Sequence, residues 1–170
     1  RNNKDFLIVQ SSGNFSHTKK FDDKYMDSFY SSHFVSMDPE LSKRIITVGA
    51  LKDEHTIWNS SQLGDMVDIL APGFRIKSTV SLEENINSNI KGGYANLTGT
   101  SMAAPFVSGV AGMIWYLFPD LTGANIKDIL VKSGKSIYNL EDKKTYKRLN
   151  AYNSLLYANI FGDNPYIDNK

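Results

Sequence analysis

The sequence predicts an α/β fold of three layers, with helices on both sides of a doubly wound, mostly parallel sheet. Three observations carry this expectation. Short apolar runs recur within Asp5–Gln10, Arg44–Ala50 and Met66–Leu70, each bounded by polar residues, as parallel strands covered on both faces require. The segment Phe106–Phe118 carries no charge and is too short to span a bilayer, so it reads as a buried core helix. Two further segments, around Ile126 and Leu155, repeat apolar residues at helical spacing.

Asp5–Gln10 is the first strand, and Ser11-Ser12-Gly13-Asn14 after it is turn-like by composition. Residues 15–43 form a long connection. Within it Phe21, Tyr25 and Phe29 recur every four residues, with Asp22, Asp23 and Asp27 between them, a pattern for a short amphipathic helix. Pro39 leads into the second strand, rich in the β-branched Ile45, Ile46, Thr47 and Val48. A polar loop with His55 follows, then Trp58-Asn59-Ser60-Ser61 and Gly64. Met66–Leu70 is the third strand and closes at Ala71-Pro72-Gly73. Arg75–Val80 and Tyr94–Leu97 read as a hairpin around an asparagine-rich loop with Gly92-Gly93.

Gly99 permits a turn and Thr100 can cap a helix starting near Ser101 or Met102. Pro105 is compatible with that start, because the first amides of a helix have no intrahelical partner, and Pro119 stops it. Ala103, Ala104, Gly109, Ala111 and Gly112 allow close approach of other backbones, which places this helix in the middle of a packed layer. Thr122 caps a helix with Ile126, Ile129 and Leu130 on one face, closed by Gly134. Asn150 caps a last helix carrying Tyr152, Leu155, Leu156 and Ile160, ended by Gly162; residues 163–170 are a polar tail.

Composition narrows the function. The chain has 170 residues, 41% of them hydrophobic, enough for one domain or part of one. Nineteen basic against eighteen acidic side chains leave a net charge of +1, which favours neither nucleic acid nor a membrane surface as partner. With no cysteine there is no disulfide, thiolate metal site or cysteine nucleophile. No signal peptide is read at the start, and Arg1 in place of methionine predicts a processed or excised piece of a longer protein.

One stretch concentrates the chemistry: Gly99-Thr100-Ser101-Met102-Ala103-Ala104-Pro105 at the mouth of the apolar helix. A serine there is ordinarily a cap. The free amides and the positive end of the helix dipole also suit a nucleophile that generates an oxyanion. Helix position alone does not choose between these two roles.

The string itself resembles the nucleophile signature of the subtilisin-like serine proteases, the subtilase family. Other segments agree with the resemblance: Ser11-Ser12-Gly13-Asn14 after the first strand, Arg44–Ala50, and Ala71-Pro72-Gly73. It covers residues 5–160 and implies the carboxyl-terminal part of a subtilase catalytic domain over residues 1–162, a partial subtilisin-like fold. It implies a serine endopeptidase in which Ser101 is the nucleophile and Asn14 donates to the oxyanion. Ser11, Ser12 and Gly13 line the pocket for the substrate residue before the scissile bond. Removing the corresponding asparagine donor from subtilisin costs about 100- to 1000-fold in turnover.

The family's triad runs aspartate, histidine, serine, and no segment here matches the first two. His17, His33 and His55 lack the glycine and threonine that accompany the family's catalytic histidine. The resemblance therefore implies that the histidine and aspartate lie on an upstream half of the same domain, which is this chain's expected partner besides a peptide or protein substrate. Alone, the chain is expected to be inactive, and unstable or self-associating through the bare edge of its first strand. Phe106 stands where the family usually has a non-catalytic histidine.

No cofactor is required for this chemistry. Many relatives bind structural calcium, but Asp22, Asp23 and Asp27 lack the alternating oxygen ligands of a calcium loop and read as solvated carboxylates, so no calcium is located. The resemblance implies an extracellular or cell-surface protein. The alternative reading is a non-catalytic pseudoprotease that uses the fold for binding or scaffolding.

Overall fold

The structure is a computed structural model, and it describes residues 5–14, 38–81 and 93–161. The amphipathic segment around Tyr25, together with His17, His33, Gly92, Gly162 and the polar tail, lies outside the described residues. Strands β1 (Ile8–Ser11), β2 (Ile45–Leu51) and β3 (Ile69–Pro72) run parallel. Strands β4 (Ile76–Thr79) and β5 (Tyr94–Leu97) form a separate antiparallel ribbon. Strands β6 (Lys135–Asn139) and β7 (Lys144–Arg148) form a hairpin that joins the main sheet beside β3, giving the order β1-β2-β3-β7-β6. The helices are α1 (Pro39–Ser42), α2 (Thr100–Leu117), α3 (Gly123–Ser133) and α4 (Ala151–Phe161). This is an α/β fold around a mostly parallel sheet.

The alternation of side chains along a strand divides the core into two. Ile46, Val48 and Ala50 of β2 and Ile69 and Ala71 of β3 face the helices, meeting Ala103, Val107, Val110, Ala111 and Ile114 of α2 and Ile126, Ile129 and Leu130 of α3. On the other face Leu51, Leu63, Leu70 and Tyr146 cluster with Ile57, Val67 and Ile137. All seven residues of β2 are buried, which is why it reads as a continuous apolar strand.

Several expectations are corrected. Strand β1 stands at the edge of the sheet among the described residues, as its expected bare edge requires, but it is not covered on both faces, since Ile8 is 42% exposed. Strand β3 begins at Ile69, three residues after Met66, because Asp68 turns its carboxylate back to the Thr47 N–H at 2.8 Å. Helix α2 begins at Thr100 behind an N-cap Gly99, so Thr100 is not the cap. Nor does α2 sit within a closed layer. One stripe is buried, while Phe106, Met113, Tyr116 and Leu117 are exposed, and a methyl group built on Gly109 or Gly112 meets nothing within 4 Å. At 18 residues and a mean hydropathy of 1.2, α2 is long and apolar enough to cross a membrane by length and composition, more than Phe106–Phe118 alone suggested; here it lies on the sheet.

The helix ends follow local chemistry. Thr122 caps α3 in a reciprocal capping box with Asn125, and the Asn150 side chain accepts from the Asn153 N–H at 3.1 Å at the start of α4. The buried face of α4 differs from the expected one. Tyr152, Leu156 and Ile160 point outward, whereas Ser154 and Ala158 are buried, and the small Ser154 places its hydroxyl 2.8 Å from that of Ser133 on α3.

The hairpin β6–β7 was not anticipated. Its strands are dominated by lysines and other polar residues, and only Ile137 and Tyr146, directly paired, supply apolar contacts.

Asp5 clasps the entrance to β1. Its carboxylate accepts from the Arg44 Nε at 2.8 Å, the Phe6 N–H at 2.8 Å and the Gly123 N–H at 2.9 Å, so it bridges β1, β2 and the positive end of α3. Its hydrogen bond to Arg44 holds the carboxyl below its ordinary value of 3.8. Folding therefore gains from this group above the unfolded pKa and loses that gain as pH falls through the lower folded value. Asp5→Asn is expected to lower the thermal midpoint at neutral pH and to flatten its decline below about pH 4; an unchanged acid limb would refute this assignment.

Candidate active site

The site forms where the carboxyl end of β1 meets the amino end of α2. β1 ends at Ser11, and Ser12, still paired to β2 through its N–H and the Val48 carbonyl at 2.8 Å, is buried with its hydroxyl on the Gln62 carbonyl at 2.7 Å. Gly13 then turns the chain with φ 111°, where a Cβ would lie 2.5 Å from Gln62 Oε1. Only glycine fits there. The turn directs Asn14 towards α2.

Thr100 receives this turn. Fully buried, it accepts the Gly13 N–H on its Oγ1 at 3.2 Å and donates that hydroxyl to Asn14 Oδ1 at 3.1 Å. The Thr100 N–H donates to the same oxygen at 3.0 Å. A backbone N–H can only donate, so the Asn14 atom facing it must be the carbonyl oxygen. That fixes the amide's orientation and turns Nδ2 away from Thr100. Nδ2 makes no hydrogen bond among the described residues.

Ser101 follows on the first turn of α2, exposed, its hydroxyl unpartnered among the described residues. Its own N–H is one of the helix-start amides without an intrahelical acceptor. At the sixth helical residue, later than a start at Ser101 would put it, Pro105 has no N–H to offer the Ser101 carbonyl. Beside Ser101 opens an apolar hollow of about 340 Å³, lined by Ile76, Lys77, Ser78, Met102, Pro105 and Phe106.

The structure thus brings Gly13, Asn14 and Ser101 together around Thr100, with Ser11 and Ser12 behind them. His55 lies elsewhere, in a hollow with Tyr138 and Leu140. Among the described residues no three His, Asp or Glu side chains gather as a metal group. Sequence reasoning missed two supporting residues. Thr100 was read as a cap, and Gln62, which anchors Ser12 and Gly13, carried no signal because its partners lie about fifty residues away.

The family model described as the subtilase family matches residues 1–156. Serine protease AprX of Bacillus subtilis is 36% identical over 69% of this chain and 31% of its own length. The halolysin-like extracellular serine protease Nep of Natrialba magadii is 28% identical over 66% of this chain and 19% of its own. Among solved structures, the prenylagaramide maturation protease PagA superposes with a TM-score of 0.61 at 23% identity, covering 89% of this chain and 50% of that one, a likeness of fold. The chain spans about a third or less of these curated relatives and about half of that solved protease. With nearly its whole length matched by the family model and the motif seated at a helix start beside an oriented asparagine, the chain belongs to the subtilase family.

Proposed function

We propose that this chain is the nucleophile-bearing part of a serine endopeptidase. The observation that carries the reading is the orientation of Asn14: Oδ1 is held by both donors of Thr100, and Nδ2, close to Gly99 at the start of the helix that carries Ser101, makes no hydrogen bond among the described residues. In this mechanism the Ser101 hydroxyl attacks the scissile carbonyl carbon while a histidine takes its proton, and an aspartate orients that histidine. The oxygen that becomes negative is held by Asn14 Nδ2 and the Ser101 N–H, both set in place before reaction. Collapse of the tetrahedral intermediate expels the amine, protonated by the same histidine, and leaves an acyl-Ser101 that water hydrolyses. Ser11, Ser12 and Gly13 form one wall of the pocket for the residue before the scissile bond, with Ser12 bracing it through Gln62.

The histidine and aspartate come from an upstream half of the domain, in keeping with the share of its relatives that the chain spans. Without them a serine hydroxyl is a weak nucleophile at neutral pH, so the chain alone is inert. Its substrates are peptides or proteins. An extracellular or cell-surface setting follows from relatives such as Nep, named as extracellular. No cofactor takes part in the chemistry.

The test is labelling of Ser101 by a fluorophosphonate probe, on this chain alone and co-folded with the upstream half, with Ser101→Ala as control. Labelling only in the complemented sample is expected. A folded complex that does not label would make the protein a non-catalytic scaffold instead.

A further inference from the structure

A hollow of about 530 Å³ opens on the same edge of the sheet as Ser101, and the proposed mechanism leaves it unused. Leu51 ends β2 and Pro72 ends β3, while β7, parallel to β3, ends at Arg148. All three line the hollow, together with Lys52, Lys135 and Leu149. The crevice outside the carboxyl ends of the strands is where α/β sheets bind ligands. This one lies towards β7, away from the β1 edge where an upstream half would join.

Its charge is unbalanced. Lys135 stands directly across from Arg148 in the β6–β7 ladder, a position in which like charges destabilise a sheet. Arg148 is answered by Glu54, through its carbonyl at 2.6 Å and its carboxylate at 3.6 Å. Asp53 turns its carboxylate onto its own loop, where it accepts the His55 N–H at 2.9 Å. Lys52 and Lys135 are exposed and have no carboxylate partner among the described residues; the Lys52 ammonium rests 5.9 Å from the centre of the Phe74 ring.

We propose that this hollow is an exosite for an acidic peptide segment, whose carboxylates meet Lys52 and Lys135 and whose apolar side chains meet Leu51 and Leu149. The apolar lining favours a peptide over a bare anion. Its place in catalysis rests on the peptidase reading: the segment belongs to the substrate, on the carboxyl side of the scissile bond. The residue before that bond lies against Ser11–Gly13 at the end of β1, so the chain beyond it runs the other way, towards β3 and β7. A strand spacing of about 4.8 Å puts the hollow about 10–15 Å from the end of β1, a span of about four extended residues. Gly73 and Phe74 link the two places. Gly99, two residues before Ser101, donates its N–H to the Gly73 carbonyl at 2.9 Å, and Phe74 carries the ring that meets Lys52.

The experiment is fluorescence anisotropy of a short labelled peptide carrying Glu-Leu-Glu, or Gln-Leu-Gln in its place, with the full-length protein carrying Ser101→Ala so that the peptide is not cut. The acidic peptide is expected to bind about fivefold more tightly, a preference that fades in high salt. Lys52→Gln/Lys135→Gln keeps most of each stem without its charge and is expected to bring the two peptides to equal affinity. Equal affinity in the parent, or a preference that survives in the double variant, overturns the proposal. If the double variant does not fold, Lys135→Glu is read in the same way. In the active protein, substrates with the same sequences about four residues beyond the cut are expected to differ by the same ratio, through KM. A ratio near one with binding intact overturns the substrate role. Absence of all turnover would overturn the peptidase reading, while the anisotropy still decides the hollow.

Discussion

Asn14→Leu is expected to lower kcat of the assembled protease about 100- to 1000-fold while leaving KM nearly unchanged. The split follows from when the bond matters. A ground-state carbonyl oxygen gains little from Nδ2, whereas the oxyanion gains a charge-assisted hydrogen bond from a donor that needs no reorganisation. Leucine also releases the Thr100 N–H from Oδ1, so two companion variants separate donation from anchoring. Asn14→Asp keeps an oxygen for both donors of Thr100 but aims negative charge at the developing oxyanion, and is expected to lose at least as much. Thr100→Val keeps the N–H anchor and removes the hydroxyl that links the Gly13 amide to Asn14; it is expected to cost about tenfold, one misplaced hydrogen bond's worth, with Thr100→Ser restoring the rate. Steady-state kinetics on a peptide substrate decide the matter. A fall in kcat below threefold for Asn14→Leu, or a loss confined to KM, would remove Asn14 from the oxyanion site.

What could be read from the chain, and what could not, divides along physical lines. β2 was legible because Ile45, Ile46, Thr47 and Val48 are β-branched and buried on both faces, and the α3 start because Thr122 and Asn125 cap it through neighbours three residues apart. The roles proposed for Ser101 and Asn14 rest on the resemblance, since each alone is ordinary cap or turn chemistry. Thr100 was misread because its partner is 86 residues away, and no local rule weighs a cap against a distant asparagine. β6–β7 escaped because strands carrying Lys135, Lys144 and Lys147 depart from apolar alternation; Ile137 and Tyr146 alone tie them to the core. The open faces of β1 and α2 were unreadable for a different reason. Composition shows that a surface is apolar, and says nothing of which segment supplies its cover.

Three glycines on two helices test that last point, and the same substitution is expected to act in opposite directions. A Cβ on Gly123 would stand 1.9 Å from the Phe6 carbonyl oxygen and 2.7 Å from its carbon. These are backbone atoms that cannot rotate aside, and Gly123 also donates its N–H to Asp5. Gly123→Ala must therefore part α3 from the entrance to β1 and break the Asp5 clasp, a loss of more than about 4 kcal/mol, or at least 10 °C in thermal midpoint. On α2, Gly109→Ala and Gly112→Ala meet nothing within 4 Å. In this chain by itself each should strengthen the helix by about 0.5–1 kcal/mol. If an upstream half packs on the open face of α2, between exposed Phe106 and Met113, the added methyls become overpacking. The assembled domain should then lose about 1–3 kcal/mol per site. Denaturant unfolding of both forms reads the sign. A reversal from stabilising to destabilising would place the partner's backbone against these glycines, and a gain in both forms would leave that face to solvent.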